Sequence, residues 1–133
     1  MTFNQATDYA FRAVQYLVQA DEQVVEARQI AQNEAIPMRF LLRIMPSLIQ
    51  VGIVKSHRGA GGGYSLARPP RQISFLDVVE AVEGPIYINR CQKDYEYCSK
   101  HGAPSCAIHQ KLNIIQAKIT EELRQLNFGD LEE

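Results

Sequence analysis

Residues 53–67 decide the fold of this chain, and their sequence is IVKSHRGAGGGYSLA. Short runs at 53–56 and 64–67 have the composition of strands, and the glycines between them predict a turn. Arg68-Pro69-Pro70-Arg71 follows, and proline cannot pair in the centre of a sheet. The segment therefore predicts a small β-hairpin that ends before residue 68.

Three predicted helices precede the hairpin. Apolar residues recur at helical spacing over about Asn4–Ala20, Glu26–Asn33 and Met38–Gln50, which places them on one face of each helix. Pro46 removes a backbone hydrogen bond from the third helix at a cost of ~3 kcal/mol, so we expect a kink or an early break there. A winged helix-turn-helix has the same order of elements: a helix, a short helix, a tight turn, a third helix and a hairpin. The sequence therefore predicts a mostly α fold with a small β-hairpin.

Two further helices are predicted after the hairpin. One begins after Ser74, which can cap it, and stops at Gly84-Pro85. Residues 86–105 show no helical period and are predicted to form a loop. From Cys106 to Leu126 the apolar residues form a stripe ~27 Å long that suits packing on another helix. The stripe consists of Ile108, Leu112, Ile115, Ile119, Leu123 and Leu126.

The charges are distributed unevenly along the chain. The net charge is -1, but residues 1–72 carry eight basic and five acidic side chains, whereas residues 73–133 carry six basic and ten acidic ones. No Asp or Glu occurs between Ala35 and Leu76. A local positive field of this kind attracts polyanions even when the whole protein is near neutral.

The helix-turn-helix and hairpin together predict a double-stranded DNA interface. The first half of the third helix presents Arg39, Phe40 and Arg43, and the arginine fork suits the O6 and N7 atoms of guanine. The Gly-rich turn is not a triphosphate-binding loop, because the Gly-Lys-Ser/Thr ending is absent. We expect Arg28 on the second helix to contact a DNA phosphate. We expect His57 and Arg58 at the wing tip to contact the minor groove or the DNA backbone.

We expect a cytoplasmic protein. No apolar run approaches the ~18 residues of a membrane span, and the first ten residues lack the basic and apolar regions of a signal peptide. Cytosolic thiols stay reduced, and the three cysteines are an odd number that a pure disulfide framework would not pair. Metal binding or redox chemistry is therefore predicted for Cys91, Cys98 and Cys106.

The cysteine spacing favours a cluster over a structural zinc ribbon. Six residues separate Cys91 from Cys98, seven separate Cys98 from Cys106, and His109 follows Cys106 after two more. Paired C-x-x-C motifs, which a zinc ribbon needs, are absent. Widely spaced thiolates in a loop can converge on an Fe–S cluster, and His109 is a candidate fourth ligand. A zinc site of three cysteines and one histidine stays open.

Two other functions stay open, and a third is not expected. The protein could be a metal-free thiol sensor, because Arg90, Lys93 and Lys100 make the cysteine loop electropositive. It could also be a DNA-binding module stabilised by zinc, without sensing. An enzyme is not expected, because the sequence contains no Ser-His-Asp or paired-carboxylate motif.

Four segments resemble one known family over nearly the whole chain. They are Thr7-Asp8-Tyr9-Ala10, the wing Arg58–Tyr64, the three-cysteine loop before a long helix, and Leu126–Leu131. These segments are similar to the iron–sulfur and redox regulators typified by IscR and NsrR, the Rrf-two type. In two respects the chain departs from the family: the cysteine loop is longer than usual, and Leu42 replaces a glutamate of the IscR-like recognition helix.

The resemblance implies a homodimeric transcriptional regulator, paired through the long helix, that binds a palindromic operator; we expect it to act as a repressor. It implies a winged domain at 1–84, a cluster-binding loop at 85–105, and a dimerisation helix with a C-terminal tail at 106–133. It also implies an Fe–S cluster on the three cysteines, controlled by iron, redox state or nitric oxide. IscR-like members would use His109 and a [2Fe–2S] cluster, which we favour. NsrR-like members would use Asp8 of the partner subunit and a [4Fe–4S] cluster.

Overall fold

The computed structural model describes residues 2–102 and 105–131. It is mostly helical with one antiparallel two-stranded hairpin, as the sequence predicts. No helix in this described part is long and apolar enough to cross a membrane. The helices are α1 Gln5–Gln19, α2 Ala27–Glu34, α3 Met38–Gln50, α4 Phe75–Glu83, α5 Arg90–Lys93 and α6 Ala107–Gln125, and the strands are β1 Val54–His57 and β2 Gly63–Leu66.

Helices α1, α2 and α3 form one core, and local signals set their ends. The side chain of Asn4 accepts a hydrogen bond from the Thr7 N–H at 2.8 Å and caps α1. Ala35 has a φ of 53° and ends α2 in the left-handed conformation, which turns the chain sharply into α3. Side chains from all three helices are buried where they meet, among them Ala10, Ala13, Leu17, Ile30, Leu41, Met45 and Leu48.

Helix α3 continues through Pro46 to Gln50, so the early break predicted at this proline does not occur. Pro46 and Leu42 are both exposed, and water can therefore bond the Leu42 carbonyl that loses its backbone partner. Leu41, Met45 and Leu48 anchor the opposite side in the core. Burial of this side offsets the cost of the missing hydrogen bond.

The hairpin is fastened to the segment before α2. β1 and β2 pair in register from Val54 opposite Leu66 to His57 opposite Gly63. Tyr64 also exchanges two backbone hydrogen bonds with Val25, each of 2.8 Å. A Cβ on Gly63 would overlap the Val25 carbonyl oxygen, so this approach requires glycine.

The end of the chain folds back onto the start of α4. The Ser74 side chain accepts from the Asp77 N–H, and the Asp77 carboxylate accepts from the Ser74 N–H, which forms a capping box. The Phe128 N–H donates to the Ile73 carbonyl at 3.0 Å. Phe128 is 2% exposed and stacks on Phe75 with ring centroids 4.5 Å apart. The residues after α6 therefore belong to the same hydrophobic core as α1–α4.

The described residues between α4 and α6 contain helical turns that the predicted loop at 86–105 did not include. They are the short helix α5 and a 3-10 turn at Tyr95–Tyr97. Helix α6 begins at Ala107, with Cys106 as its N-terminal cap residue. It packs against α4 and α5, which places the cysteine segment beside its first turns.

Candidate nucleic-acid interface and cysteine site

Helix α3 presents a cationic face on the side opposite the core. Arg39 and Arg43 lie one turn apart and are exposed, as the helical period predicts. Leu41, Ile44 and Met45 alternate with them and are buried. A helix held in this way, with its outer face free, has the geometry needed to enter a major groove.

Phe40 supports the two arginines. Its ring is partly buried, and the guanidinium carbons of Arg39 and Arg43 lie 5.0 Å and 5.7 Å from its centroid. The Tyr9 ring packs against it at 6.0 Å. Cation–π contacts of this length hold guanidinium groups in place. The structure therefore gives Phe40, which the sequence predicts as a DNA contact, a role in positioning Arg39 and Arg43.

Arg12 on α1 connects this helix to α2 through a side-chain hydrogen bond. It donates to the Asp8 carboxylate at 2.6 Å and to the Glu34 carbonyl at 3.1 Å, near the C-terminal end of α2. Its guanidinium carbon also lies 5.3 Å from the Tyr9 ring centroid. Asp8 is thus paired within its own helix.

The other predicted DNA contacts differ in their exposure to solvent. Arg28 on α2 and Arg58 at the start of the wing turn are both exposed. His57 is partly buried, and its Nε2 atom forms a 2.8 Å hydrogen bond with the Oγ atom of Ser65, which is 4% exposed. Arg58 is therefore the cation offered at the wing tip, while His57 bonds within the hairpin.

The cysteine segment brings Cys91 and His109 together. The Cys91 Sγ atom lies 3.1 Å from the His109 Nδ1 atom. His109 sits in the first turn of α6, as predicted, and is 3% exposed. The Tyr95 ring packs edge-on against the imidazole at 5.2 Å. Two of the four predicted metal ligands are thus adjacent, with His109 buried and Cys91 partly buried.

Cys98 and Cys106 lie in the next part of the same segment. Both are partly buried, and none of the three cysteines forms a disulfide within the described residues. The His101 N–H donates to the Cys98 carbonyl at 3.0 Å, and Gly102 lies against the Cys106 side chain. Among residues 2–102 and 105–131, no group of three or more His, Cys, Asp or Glu side chains is arranged to hold a metal ion.

An amide clip, formed by Asn89, Gln92 and Asn113, fixes the start of the cysteine segment to α6. The Gln92 Oε1 atom accepts from the Ile88 and Asn89 N–H groups at 3.0 Å and 2.9 Å, and Gln92 Nε2 donates to Asn113 Oδ1 at 3.1 Å. Asn89 Nδ2 lies 3.6 Å from Cys91 Sγ. Sequence reasoning missed these residues, although Asn followed three positions later by Gln is a capping-box signal.

Half of the apolar stripe on α6 is exposed in the single chain, and the other half is partly buried. Ile108 is 68% exposed and Ile115 is 49% exposed, and Ile114 beside the stripe is also exposed. Among the described residues of α6, His109 alone is buried. An apolar face of this size on a helix marks a surface for association.

Comparisons with known proteins agree with this geometry. The sequence model of a family described as "Rrf2: Iron-dependent Transcriptional regulator" matches residues 3–133. An Aquifex aeolicus protein described as an HTH-type transcriptional regulator is 29% identical over 131 residues, which are 98% of this chain and 91% of that protein.

Solved structures share the fold. T. potens IscR has a TM-score of 0.72 and 25% identity, over 98% of this chain and 85% of that one. CymR, the global cysteine regulator of B. subtilis, has a TM-score of 0.72 and 22% identity, over 98% of this chain and 95% of that one. The predicted winged helix-turn-helix is confirmed.

Proposed function

Because this chain belongs to the Rrf2 family of DNA-binding transcriptional regulators, we propose that it represses transcription as a homodimer on a palindromic operator, under the control of an Fe–S cluster. In the proposed division, residues 1–84 bind DNA, 85–105 hold the cluster, and 106–133 form the dimerisation helix and tail. The relatives are regulators and not enzymes, which accords with the absence of a catalytic motif in the sequence.

One observation carries the proposal for the cluster: the Cys91 thiol lies 3.1 Å from the buried His109 imidazole in the first turn of α6. Thiolate and imidazole donors suit iron, and Cys98 and Cys106 supply two further sulfurs nearby in the chain. When bound, a cluster would supply a redox-active centre that can lose iron. The donor set therefore fits an Fe–S cluster on Cys91, Cys98, Cys106 and His109.

We favour a [2Fe–2S] cluster with His109 as the fourth ligand. Asp8, the alternative ligand for a [4Fe–4S] cluster in the partner subunit, is already held by Arg12 at 2.6 Å. To serve as a ligand, its carboxylate would have to exchange this ion pair for a metal bond. His109 already faces a predicted ligand sulfur.

The proposed switch is a movement of Cys98 and Cys106. Among the described residues, these two cysteines do not share a metal-holding arrangement with Cys91 and His109, so convergence on one cluster requires their sulfur atoms to move. Cys106 occupies the N-cap position of α6, so a change at this residue would reach the dimerisation helix directly. A coupling of ~1–3 kcal/mol between cluster and operator is typical of such linkage.

Dimerisation through α6 would give the DNA-binding surface two-fold symmetry. The exposed apolar stripe around Ile108 and Ile115 is the proposed contact between subunits. Two copies of Arg39, Arg43 and Arg58 would then face two equivalent half-sites, which is why we propose a palindromic operator.

The test begins with protein purified without oxygen. We expect iron and sulfide in the sample, a Mössbauer spectrum of a [2Fe–2S] cluster, a dimer in light scattering, and different operator affinities for the holo and apo forms. His109→Ala should lose the cluster, whereas the matched control His101→Ala, at an exposed loop position, should keep it.

Each alternative function predicts a different result. Zinc in place of iron would indicate a zinc-stabilised module, and no metal at all would indicate a thiol sensor. Equal operator affinity of the holo and apo forms would refute control by the cluster.

A further inference from the structure

The outer face of α3 carries an apolar ridge between its arginines. Leu42 is 50% exposed and Met38 is 38% exposed, and Pro46 continues the same row as an exposed residue. These residues are spaced by four, which places them above one another on a single helix face. Single exposed apolar side chains are ordinary on protein surfaces, but here three are aligned.

The charges around the ridge specify what can cover it. Arg39 and Arg43 flank Leu42, and no acidic residue occurs between Ala35 and Leu76. A second protein surface would need acidic groups to match the arginines and apolar groups to match the ridge. A DNA major groove offers both, because phosphates line it and thymine places its C5 methyl group within it.

We propose that Leu42, with Met38, is a specificity-determining contact for thymine methyl groups. This inference rests on the proposed DNA-binding function and deepens it. Arg39 and Arg43, held by Phe40 at 5.0 Å and 5.7 Å, would contact guanine or phosphate on either side. Met38 and Leu42 are ~6 Å apart along the helix axis, about two base-pair rises of ~3.4 Å. The half-site should therefore contain thymine within two or three neighbouring base pairs, next to guanine.

The experiment removes single methyl groups from DNA. Binding sites are first selected from random-sequence duplexes with the wild-type protein. Each thymine of the selected half-site is then replaced by deoxyuridine, which lacks only the C5 methyl group, and affinity is measured by fluorescence anisotropy at fixed salt. We expect about a fourfold loss at one position per half-site, the value for burial of one methylene-sized group. Substitution in both half-sites should give about a fifteenfold loss.

A double-mutant cycle assigns the contact to Leu42. In Leu42→Ala the deoxyuridine substitution should be nearly without effect, because the partner of the methyl group is gone. Val51→Ala is the matched control, since Val51 is 47% exposed and follows α3 outside the ridge. This variant should keep the full methyl dependence. Both side chains are exposed, so circular dichroism should show unchanged folding.

The possible failures are distinguishable. Selected sites without methyl-dependent thymines, or a full deoxyuridine penalty in Leu42→Ala, would overturn the inference about the ridge while leaving DNA binding intact. If no sequence were selected and Arg43→Ala did not change DNA affinity, the proposed DNA-binding function itself would be refuted, and this inference with it.

Discussion

Replacing Gly63 with alanine tests how the wing is held to the rest of the domain. Gly63 has a φ of +153° and lies against the Val25 carbonyl, which an added Cβ would overlap. The next residue, Tyr64, exchanges two 2.8 Å hydrogen bonds with Val25. The hairpin can accept the methyl group only by moving away from Val25, and that movement breaks both bonds.

The expected cost follows from those contacts. Each backbone hydrogen bond contributes about 1 kcal/mol net, so the loss of both amounts to about 2 kcal/mol. Val25 is only 5% exposed, and its partial exposure adds to this value. Gly61 is the matched control, since it has a φ of +75° and no atom within 4 Å of an added Cβ. Gly61→Ala should cost only the left-handed backbone term of about 1–2 kcal/mol, whereas Gly63→Ala combines the overlap with Val25 with a strained backbone position of its own, at a φ of +153°.

The free energy of unfolding is measured by urea titration, followed by circular dichroism. All variants are compared at one protein concentration, because dimer stability depends on concentration. Gly63→Ala should be less stable than Gly61→Ala by about 2 kcal/mol. Equal destabilisation of the two variants would refute the claim that close approach to Val25 is what requires glycine.

Three further predictions concern the core, the DNA interface and the cysteine segment. Phe128→Ala should lower the free energy of unfolding by about 3–5 kcal/mol in urea titrations, because the ring is 2% exposed; a loss below 1 kcal/mol would show that the tail is not part of the core. Arg43→Ala should lower the binding free energy by about 1–3 kcal/mol and relax the base preference at one base pair. Arg58→Ala should weaken binding to all DNA sequences alike and reduce the slope of log affinity against log salt concentration by about 1. Anisotropy titrations against mutated operators at several salt concentrations distinguish these results. Gln92→Ala should raise hydrogen exchange at the Asn89 amide, which now donates to its side chain, and less at the Ile88 amide, which also donates to the Gln116 side chain at 3.0 Å; unchanged exchange at Asn89 would show that the amide clip does not hold the segment.

Much of the fold could be predicted because its signals are local. The glycines of the wing and the apolar spacing of α1–α3 identify the hairpin and helices within a residue or two of their observed ends. Of the kink or early break expected at Pro46, the break does not occur, because burial of Leu41, Met45 and Leu48 is a tertiary effect that the local sequence does not show. The four-residue helix α5 was missed because part of its support, through Gln92 and Asn113, comes from a distant helix.

Some residues of the candidate site could likewise be placed from local sequence, and others could not. Helical periodicity was enough to place Arg39 and Arg43 outside and His109 in the first turn of α6. The partial burial of Phe40 depends on Tyr9 in another helix, and the inward hydrogen bond of His57 depends on Ser65 across the hairpin. The pairing of Cys91 with His109 joins residues 18 positions apart. None of these contacts has a signal in local sequence.

The return of Phe128 to the core turns residues 85–125 into an excursion with both ends anchored in one folded body. Bringing the two ends of such a segment together costs conformational entropy, but this cost grows only slowly with the length of the segment. Disorder in the middle of the excursion would leave its two anchors in place, so the hydrophobic core of α1–α4 can stay folded when the cysteine segment does not. An excursion of this kind can also be lengthened, shortened or exchanged between relatives while the hydrophobic body beneath it stays the same.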